Sequence, residues 1–169
     1  KQLETENKKA DYFSFVPDGE PTLDINLGKT IELIKPYGVQ IAVITNASLL
    51  WMDEVKEDLM KANWVSVSID AADDDTWRKA NRPHKVLNHK DILNGIVDFS
   101  KVFKGTLVTE TMLMEGVNDQ EVCIERIAQQ LVEVHPAKSY LLVPTRPPVK
   151  AGVKRPSAVS LKKAVGIIK

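Results

Sequence analysis

Cysteine is nearly absent from this sequence, since Cys123 is the only one among 169 residues. A single thiol excludes an internal disulfide and any metal site built from cysteines of this chain alone. No apolar run approaches the roughly 20 residues that are needed to span a bilayer. The polar start, Lys-Gln-Leu-Glu-Thr-Glu, does not resemble a secretory signal. We therefore expect a cytoplasmic protein that does not bind a membrane.

Net charge is also absent, because 23 Lys and Arg residues balance 23 Asp and Glu residues. This balance predicts no bulk attraction to nucleic acid or to an anionic membrane, although a local basic patch is compatible with it. What is present is the composition of an ordinary globular protein, with 43% hydrophobic and 27% charged residues. The length predicts a single domain over residues 1–169.

Strand and helix signals alternate along the chain, and each apolar run is followed by a polar loop and an amphipathic segment. This alternation predicts an α/β fold with a parallel sheet and helices outside it, either an open doubly wound sheet or a barrel, whole or partial. Five strands are too few for a closed eight-stranded barrel. The predicted strands are 11–16, 39–45, 64–70, 106–113 and 139–143, and the predicted helices are 23–35, 49–62, 75–81, 89–103, 120–134 and 158–168.

Local patterns add finer expectations. The aromatic and Val content of the first strand predicts that both of its faces are covered. Ser48 is placed to cap the second helix. Cys123 falls in an apolar row of the fifth helix, which predicts a buried packing role. His84 in a loop and His89 at a helix start are expected to be solvated, because their spacing fits no compact metal site.

Polar residues follow all five predicted strands. In parallel α/β folds the carboxyl ends of the strands meet at one edge of the sheet, and sites form there. The sequence therefore predicts one shared site at this edge. The five strand ends are Asp18-Gly19-Glu20, Thr45-Asn46, Ser68 to Asp70, Glu110-Thr111 and Thr145-Arg146.

The first of these ends has two interpretations. Gly19 would let the backbone approach a ligand closely, and the Glu20 carboxylate would bind an ammonium group. The alternative is a plain tight turn, with Glu20 in the first turn of a helix where the dipole favours its charge. The residues alone leave both interpretations open.

The order of these segments resembles a known family. The first strand and the following Gly-Glu-Pro-Thr-Leu (19–23) are similar to the Gly-Gly-Glu motif of radical S-adenosylmethionine (radical SAM) enzymes, with Asp18 in place of the first Gly. The segment Pro144-Thr-Arg-Pro-Pro148 resembles that of iron–sulfur oxidoreductases related to the tRNA wyosine-forming enzymes. The resemblance covers about residues 11–150. Further similar stretches are Thr45-Asn46, Val67 to Ala71, Arg82-Pro-His84 and Thr111 to Asp119.

The resemblance implies a partial TIM-like (βα)6 barrel. It also implies a [4Fe-4S] cluster on a Cys-x3-Cys-x2-Cys loop, S-adenosylmethionine as cofactor, and an external electron donor. Reductive cleavage of the cofactor would give a 5′-deoxyadenosyl radical that abstracts hydrogen from a substrate. The implied cofactor contacts are Gly19, Glu20 and Pro21 at the methionine amino group, Asn46 in the same pocket, Ser68 and Asp70 near the ribose, and Glu110, Asn118, Val143 and Thr145 towards the adenine.

The sequence departs from the family in one large respect, because it has no three-cysteine motif. Five strands stand where six are implied, so we expect the first βα unit and its cluster loop to be missing by truncation of a longer parent. The resemblance then implies no metal ligand and no catalytic residue in this chain, and no radical chemistry by it alone. Two alternatives stay open for the parent. One is a tRNA-modifying domain whose basic end, Arg146 to Arg155, holds RNA. The other is a non-catalytic barrel that serves as a binding module.

Overall fold

The computed structural model describes residues 10–16, 19–145 and 152–169, and it shows five parallel strands in one open sheet. Each strand pairs with the next one along the chain. The prediction of parallel βα units in a partial TIM-like arrangement is therefore confirmed. The strands are β1 (Tyr12–Phe15), β2 (Gln40–Thr45), β3 (Trp64–Ser68), β4 (Thr106–Met112) and β5 (Lys138–Leu142), and the α-helices are α1 (Leu27–Ile34), α2 (Asp53–Leu59), α3 (Asp74–Asn81), α4 (His89–Val102), α5 (Glu121–Val134) and α6 (Ala158–Ile168).

The core lies between the sheet and the helices that cross over it. Apolar residues of β2 and β3 supply the sheet side, and Ile96 and Phe99 of α4 are both fully buried against it. The register aligns the strand ends, because Thr45 lies opposite Val67 and Ser68 lies opposite Glu110. The register thus places the carboxyl ends of the central strands side by side. Residues of the sheet side include Ile41, Val43, Val65 and Val67.

The prediction that β1 is covered on both faces is wrong. Tyr12 is 47% exposed and Val16 beyond the strand is 60% exposed. β1 has one hydrogen-bonded neighbour, β2, so it forms an edge of the described sheet. Its aromatic residues find a local partner instead, since the rings of Phe13 and Tyr37 pack edge to face at 6.3 Å.

The first predicted helix is divided in two. A short 3-10 helix, Pro21–Leu23, precedes α1, which begins only at Leu27. The carboxylate of Asp24 accepts a hydrogen bond from the backbone N–H of Asn26 at 2.9 Å. This local bond competes with helical pairing and separates the two segments.

The second predicted helix begins later than expected, at Asp53, and Ser48 does not cap it. Ala47 adopts the left-handed conformation with φ 61°, and the chain then passes through turns that bury Leu50 completely. Gly95 of α4 packs directly on this segment. A Cβ atom at Gly95 would lie 2.5 Å from the Leu50 carbonyl oxygen.

Two further expectations about packing are wrong. Cys123 is only half-buried, near the start of α5, where its sulfur lies 3.9 Å from the Thr76 hydroxyl. His89 is 6% exposed rather than solvated, and its ring stacks on Trp77 at a centroid distance of 4.6 Å. The predicted solvation of His84 is confirmed. Within the three described ranges, no helix combines the length and apolar character of a membrane span.

Candidate functional site

Glu20 connects the ends of β1 and β2. Its Oε1 accepts hydrogen bonds from the Thr22 backbone N–H at 3.1 Å, from the Thr22 hydroxyl at 2.8 Å and from the Thr45 hydroxyl. Its Oε2 accepts one hydrogen bond, from the backbone N–H of Asn46 at 2.7 Å. Glu20 therefore caps the 3-10 helix and also fixes its carboxylate against the next strand. In the sequence, only the presence of Thr22 in the motif and of Thr45 at the strand end indicated these hydrogen-bond partners.

The Glu20 carboxylate keeps capacity for a ligand. A carboxylate has about four lone-pair sites, and Oε2 uses one of them for Asn46. Glu20 is partly exposed, and no atom lies within 4 Å of the Cβ position that Gly19 leaves empty. Pro21, the next residue, is buried. The open side of Oε2 therefore fits an ammonium group, as the methionine end of S-adenosylmethionine provides.

Asn46 lies beside this carboxylate on an exposed loop. Its side-chain Oδ1 accepts a hydrogen bond from the Ser48 backbone N–H at 2.9 Å, which turns the side chain back on its own loop. Asn46 also lines a cavity of about 270 Å³ together with Asn81, Arg82 and His84. The cavity connects the end of β2 with the loop that follows α3.

Asp70 follows β3 and uses both carboxylate oxygens within the protein. Oδ1 accepts a hydrogen bond from the Met112 backbone N–H at 2.7 Å, and Oδ2 accepts one from the Asn81 side chain at 2.7 Å. Burial raises the pKa of the Asp70 carboxyl above its ordinary value of 3.8, the two hydrogen bonds oppose this shift, and nearby Glu110 adds to it. The sequence analysis missed Asn81, which lies 11 positions away at the end of a helix.

Glu110 of β4 is held from the neighbouring strand. The hydroxyl of Ser66, itself 1% exposed, donates to Glu110 Oε1 at 2.9 Å. Ser68, the last residue of β3, lies directly opposite Glu110 in the register and is half-buried. The alternation of Ser and Val in β3 was the signal for this polar row on one face of the sheet.

Asn118 ties the ends of β3 and β4 together. Its side chain is fully buried and donates to the backbone carbonyls of Asp70 at 2.8 Å and Met112 at 2.9 Å. Its Oδ1 accepts the Met114 N–H at 2.8 Å. Asn118 therefore does not cap α5, whose N-cap residue, Gln120, makes no side-chain capping hydrogen bond.

The structure brings the predicted residues together in two clusters. One contains Glu20 and Asn46, and the other contains Asp70, Glu110 and Asn118 with Ser68 at its side. Val143 is half-buried and Thr145 is exposed just after β5, and no hydrogen bond joins their side chains to either cluster within the described residues. The cofactor roles of these residues, and of Gly19 and Pro21, stay predictions. Most of the predicted basic end, from Arg146 to Ala151, lies outside the described residues.

The described residues do not fit an iron–sulfur cluster. No group of three or more His, Cys, Asp or Glu side chains in the described part of the chain is placed to hold a metal ion. Cys123 contacts Gln120 at 3.5 Å and no second thiol exists in the sequence. A four-iron cluster is held by several cysteine thiolates, so this chain alone cannot supply its ligands.

Comparisons with known proteins identify a family and a long relative. The family model described as the radical SAM superfamily matches residues 2–125. A UPF0026 protein of Methanocaldococcus jannaschii is 42% identical over 161 residues, which are 95% of this chain and 50% of that relative. The chain thus spans about half the length of this curated relative.

Solved structures share the fold. A domain of pyruvate-formate lyase-activating enzyme from Bacteroides vulgatus superposes with a TM-score of 0.74 at 21% identity, covering 92% of this chain and 91% of that chain. TYW1 with a lysine-pyruvate adduct bound gives a TM-score of 0.75 at 21% identity, covering 94% of this chain and 49% of that chain. The family model covers well over half of the sequence, and the fold agrees with it. The chain therefore belongs to the radical SAM superfamily.

Proposed function

We propose that this chain is the cofactor-binding core of a radical SAM enzyme, and that Glu20 holds the amino group of S-adenosylmethionine. The observation that carries this proposal is the Glu20 carboxylate, which is anchored through Thr45 and Asn46 while Oε2 keeps free acceptor capacity. A preorganised carboxylate binds an ammonium group by a charge-assisted hydrogen bond without first having to be ordered.

The remaining residues of the site would act by binding and orientation. Ser68 and Asp70 at the end of β3 would lie beside the ribose. Asp70 is engaged with Met112 and Asn81, so it would chiefly fix the shape of this wall. Val143 and Thr145 would approach the adenine after β5, partly through backbone groups. When bound, the cofactor and a [4Fe-4S] cluster supply the radical that abstracts hydrogen from the substrate.

The cluster belongs to the parent protein in this proposal. The single cysteine of this chain does not fit the ligand set. We infer that the cluster loop lies in a part of the longer protein that is not included in these residues. The chain on its own would then bind S-adenosylmethionine weakly and release no radical.

The test is the formation of 5′-deoxyadenosine. The full-length protein is reconstituted anaerobically with iron and sulfide, reduced with dithionite and incubated with S-adenosylmethionine. The proposal expects 5′-deoxyadenosine from the full-length protein and none from this chain alone under the same conditions. Absence of the product from a full-length protein whose absorption spectrum shows an intact cluster would overturn the proposal.

A further inference from the structure

One stretch beside the site lacks acidic residues and is strongly basic. Between Asp75 and Asp91 the sequence contains no Asp or Glu and five Lys or Arg residues, although the whole chain has a net charge of zero. All five side chains are exposed. These residues, which we call the basic arc, are Arg78, Lys79, Arg82, Lys85 and Lys90.

The basic arc has little internal neutralisation. Arg78 pairs with Asp74 at 2.6 Å. In the described ranges, the other four cations have no carboxylate within the 4.0 Å of a salt bridge. Some exposed lysines elsewhere do have such partners, as Lys35 with Glu32 and Lys101 with Asp98. The positive charge of the basic arc is therefore available to an external anion.

Three cavities follow the basic arc and share its residues. A cavity of about 630 Å³ contains Arg78, Lys85 and Lys90, and a second of about 510 Å³ contains Arg78, Lys79 and Arg82. Arg82 also lines the cavity of about 270 Å³ that includes Asn46. Asp74 is the one carboxylate among the residues that line these cavities. The positive surface thus runs from the outer face of α3 to the residue that binds Glu20.

Arg82 occupies an unfavourable backbone conformation at the centre of this surface. It ends α3 with φ 47° and ψ 57°, in the left-handed region where Gly or Asn usually stands. A side chain other than Gly or Asn costs free energy there. A cation at this position faces two of the three cavities, so its charge offers a functional reason for the conformation.

We propose that the basic arc binds the phosphate groups of the substrate. The inference rests on the proposed function, because it places this ligand next to the predicted cofactor pocket. Several unpaired cations along connected open cavities match an anion with more than one phosphate better than a single carboxylate. Guanidinium and ammonium groups are the side chains that recognise phosphate oxygens, and Arg does so bidentately.

The first experiment measures anion binding by the full-length protein without reductant. The probes are a fluorescein-labelled single-stranded RNA of 12 nucleotides and inorganic pyrophosphate as competitor. The site variant is Lys79→Gln with Lys85→Gln. The control is Lys101→Gln with Lys104→Gln, which removes the same charge just before β4, at the amino edge of the sheet.

The site variant is expected to reduce the slope of log affinity against log salt by about 1.4, since each lost phosphate contact of a single strand removes about 0.7. The control is expected to keep the parent slope. Tight RNA binding with weak competition by pyrophosphate identifies a polynucleotide, whereas equal binding of both probes identifies a small phosphorylated substrate. No binding of either probe, or an equal loss in the control, overturns the proposal.

Arg82→Gly is a second variant, and we expect it to stay folded. Gly relieves the left-handed backbone, so the melting temperature should rise or stay constant while RNA affinity falls. The control is His135→Gly, since His135 ends α5 with φ 49°. It should gain stability without losing affinity. Unchanged RNA affinity of Arg82→Gly would remove Arg82 from the site. The 5′-deoxyadenosine assay does not need the RNA, so failure of this inference is distinct from failure of the proposed function.

Discussion

Asn81, the last residue of α3, donates its side-chain N–H to Oδ2 of Asp70 at 2.7 Å. The bond joins the helix to the end of β3 across 11 positions. Since Asp70 also accepts the Met112 N–H, its carboxylate holds three elements together at the carboxyl edge of the sheet. The wall of the candidate pocket therefore depends on a group that the sequence analysis assigned to ligand binding alone.

Replacing Asn81 with Ala should destabilise the fold. A hydrogen bond to a charged group contributes about 1.5–3 kcal/mol, and the exposure of Asn81 reduces this to about 1 kcal/mol. The measurement is the free energy of unfolding from urea titration. Lys79→Ala on the same helix is the control and should change it by less than about 0.5 kcal/mol. Equal values for the two variants would show that the Asp70 contact does not stabilise α3.

Gly95 should be irreplaceable for packing reasons. A Cβ atom there would lie 2.5 Å from the Leu50 carbonyl oxygen and 2.7 Å from the Trp51 nitrogen, which are backbone atoms that cannot rotate away. Gly95→Ala is expected to cost about 1–3 kcal/mol in the free energy of unfolding, as overpacking does.

The matched control for Gly95 is the other glycine of a long helix, Gly166 in α6, around which nothing lies within 4 Å of a Cβ position. Gly166→Ala should stabilise the helix by about 0.5–1 kcal/mol. Opposite signs in thermal unfolding would confirm the close approach of α4 to the turn after β2. A stabilising Gly95→Ala would contradict it.

His89 should make the stability depend on pH. Burial lowers the pKa of the His89 imidazole below its ordinary value of 6.5, so the unfolded chain binds the proton more tightly than the folded one. Its contribution to stability is then present above pH 6.5 and is lost as the pH falls through the lowered pKa. His89→Phe keeps a ring on Trp77 and should flatten the plot of unfolding free energy against pH below pH 6.5. Parallel curves for both proteins would contradict the prediction.

The sequence predicted the elements whose signals are local. The helix Ala158–Ile168 agrees with the prediction to the residue, and Ser157 caps it by accepting the Ser160 N–H at 3.0 Å. α4 and α5 agree within one residue at each end, because their apolar spacing and flanking residues lie within the same segment. The family resemblance predicted the partial TIM-like arrangement of these elements.

The sequence failed where distant segments decide the outcome. An alanine gives no sign of a left-handed conformation, so the turn at Ala47 and the late start of α2 were not foreseen. The burial of His89 depends on Trp77, and the position of Asn118 depends on the backbone carbonyls of Asp70 and Met112 at the ends of two strands. The sequence pattern placed the strand ends at one edge of the sheet. It did not identify the contact partners of each side chain.

Glu20→Ala should weaken the binding of S-adenosylmethionine to the full-length reconstituted protein. The bound ammonium group would lose a charge-assisted partner worth about 1.5–3 kcal/mol, which is roughly a tenfold to hundredfold rise in Kd by calorimetry. Glu125→Ala, an exposed residue of α5, is the control and should leave the Kd unchanged. Because Glu20 also accepts hydrogen bonds from Thr22, Thr45 and Asn46, the variant should unfold more easily too. Calorimetry therefore needs a temperature at which circular dichroism shows both variants folded. An unchanged Kd under that condition would leave Glu20 as a structural cap of the 3-10 helix.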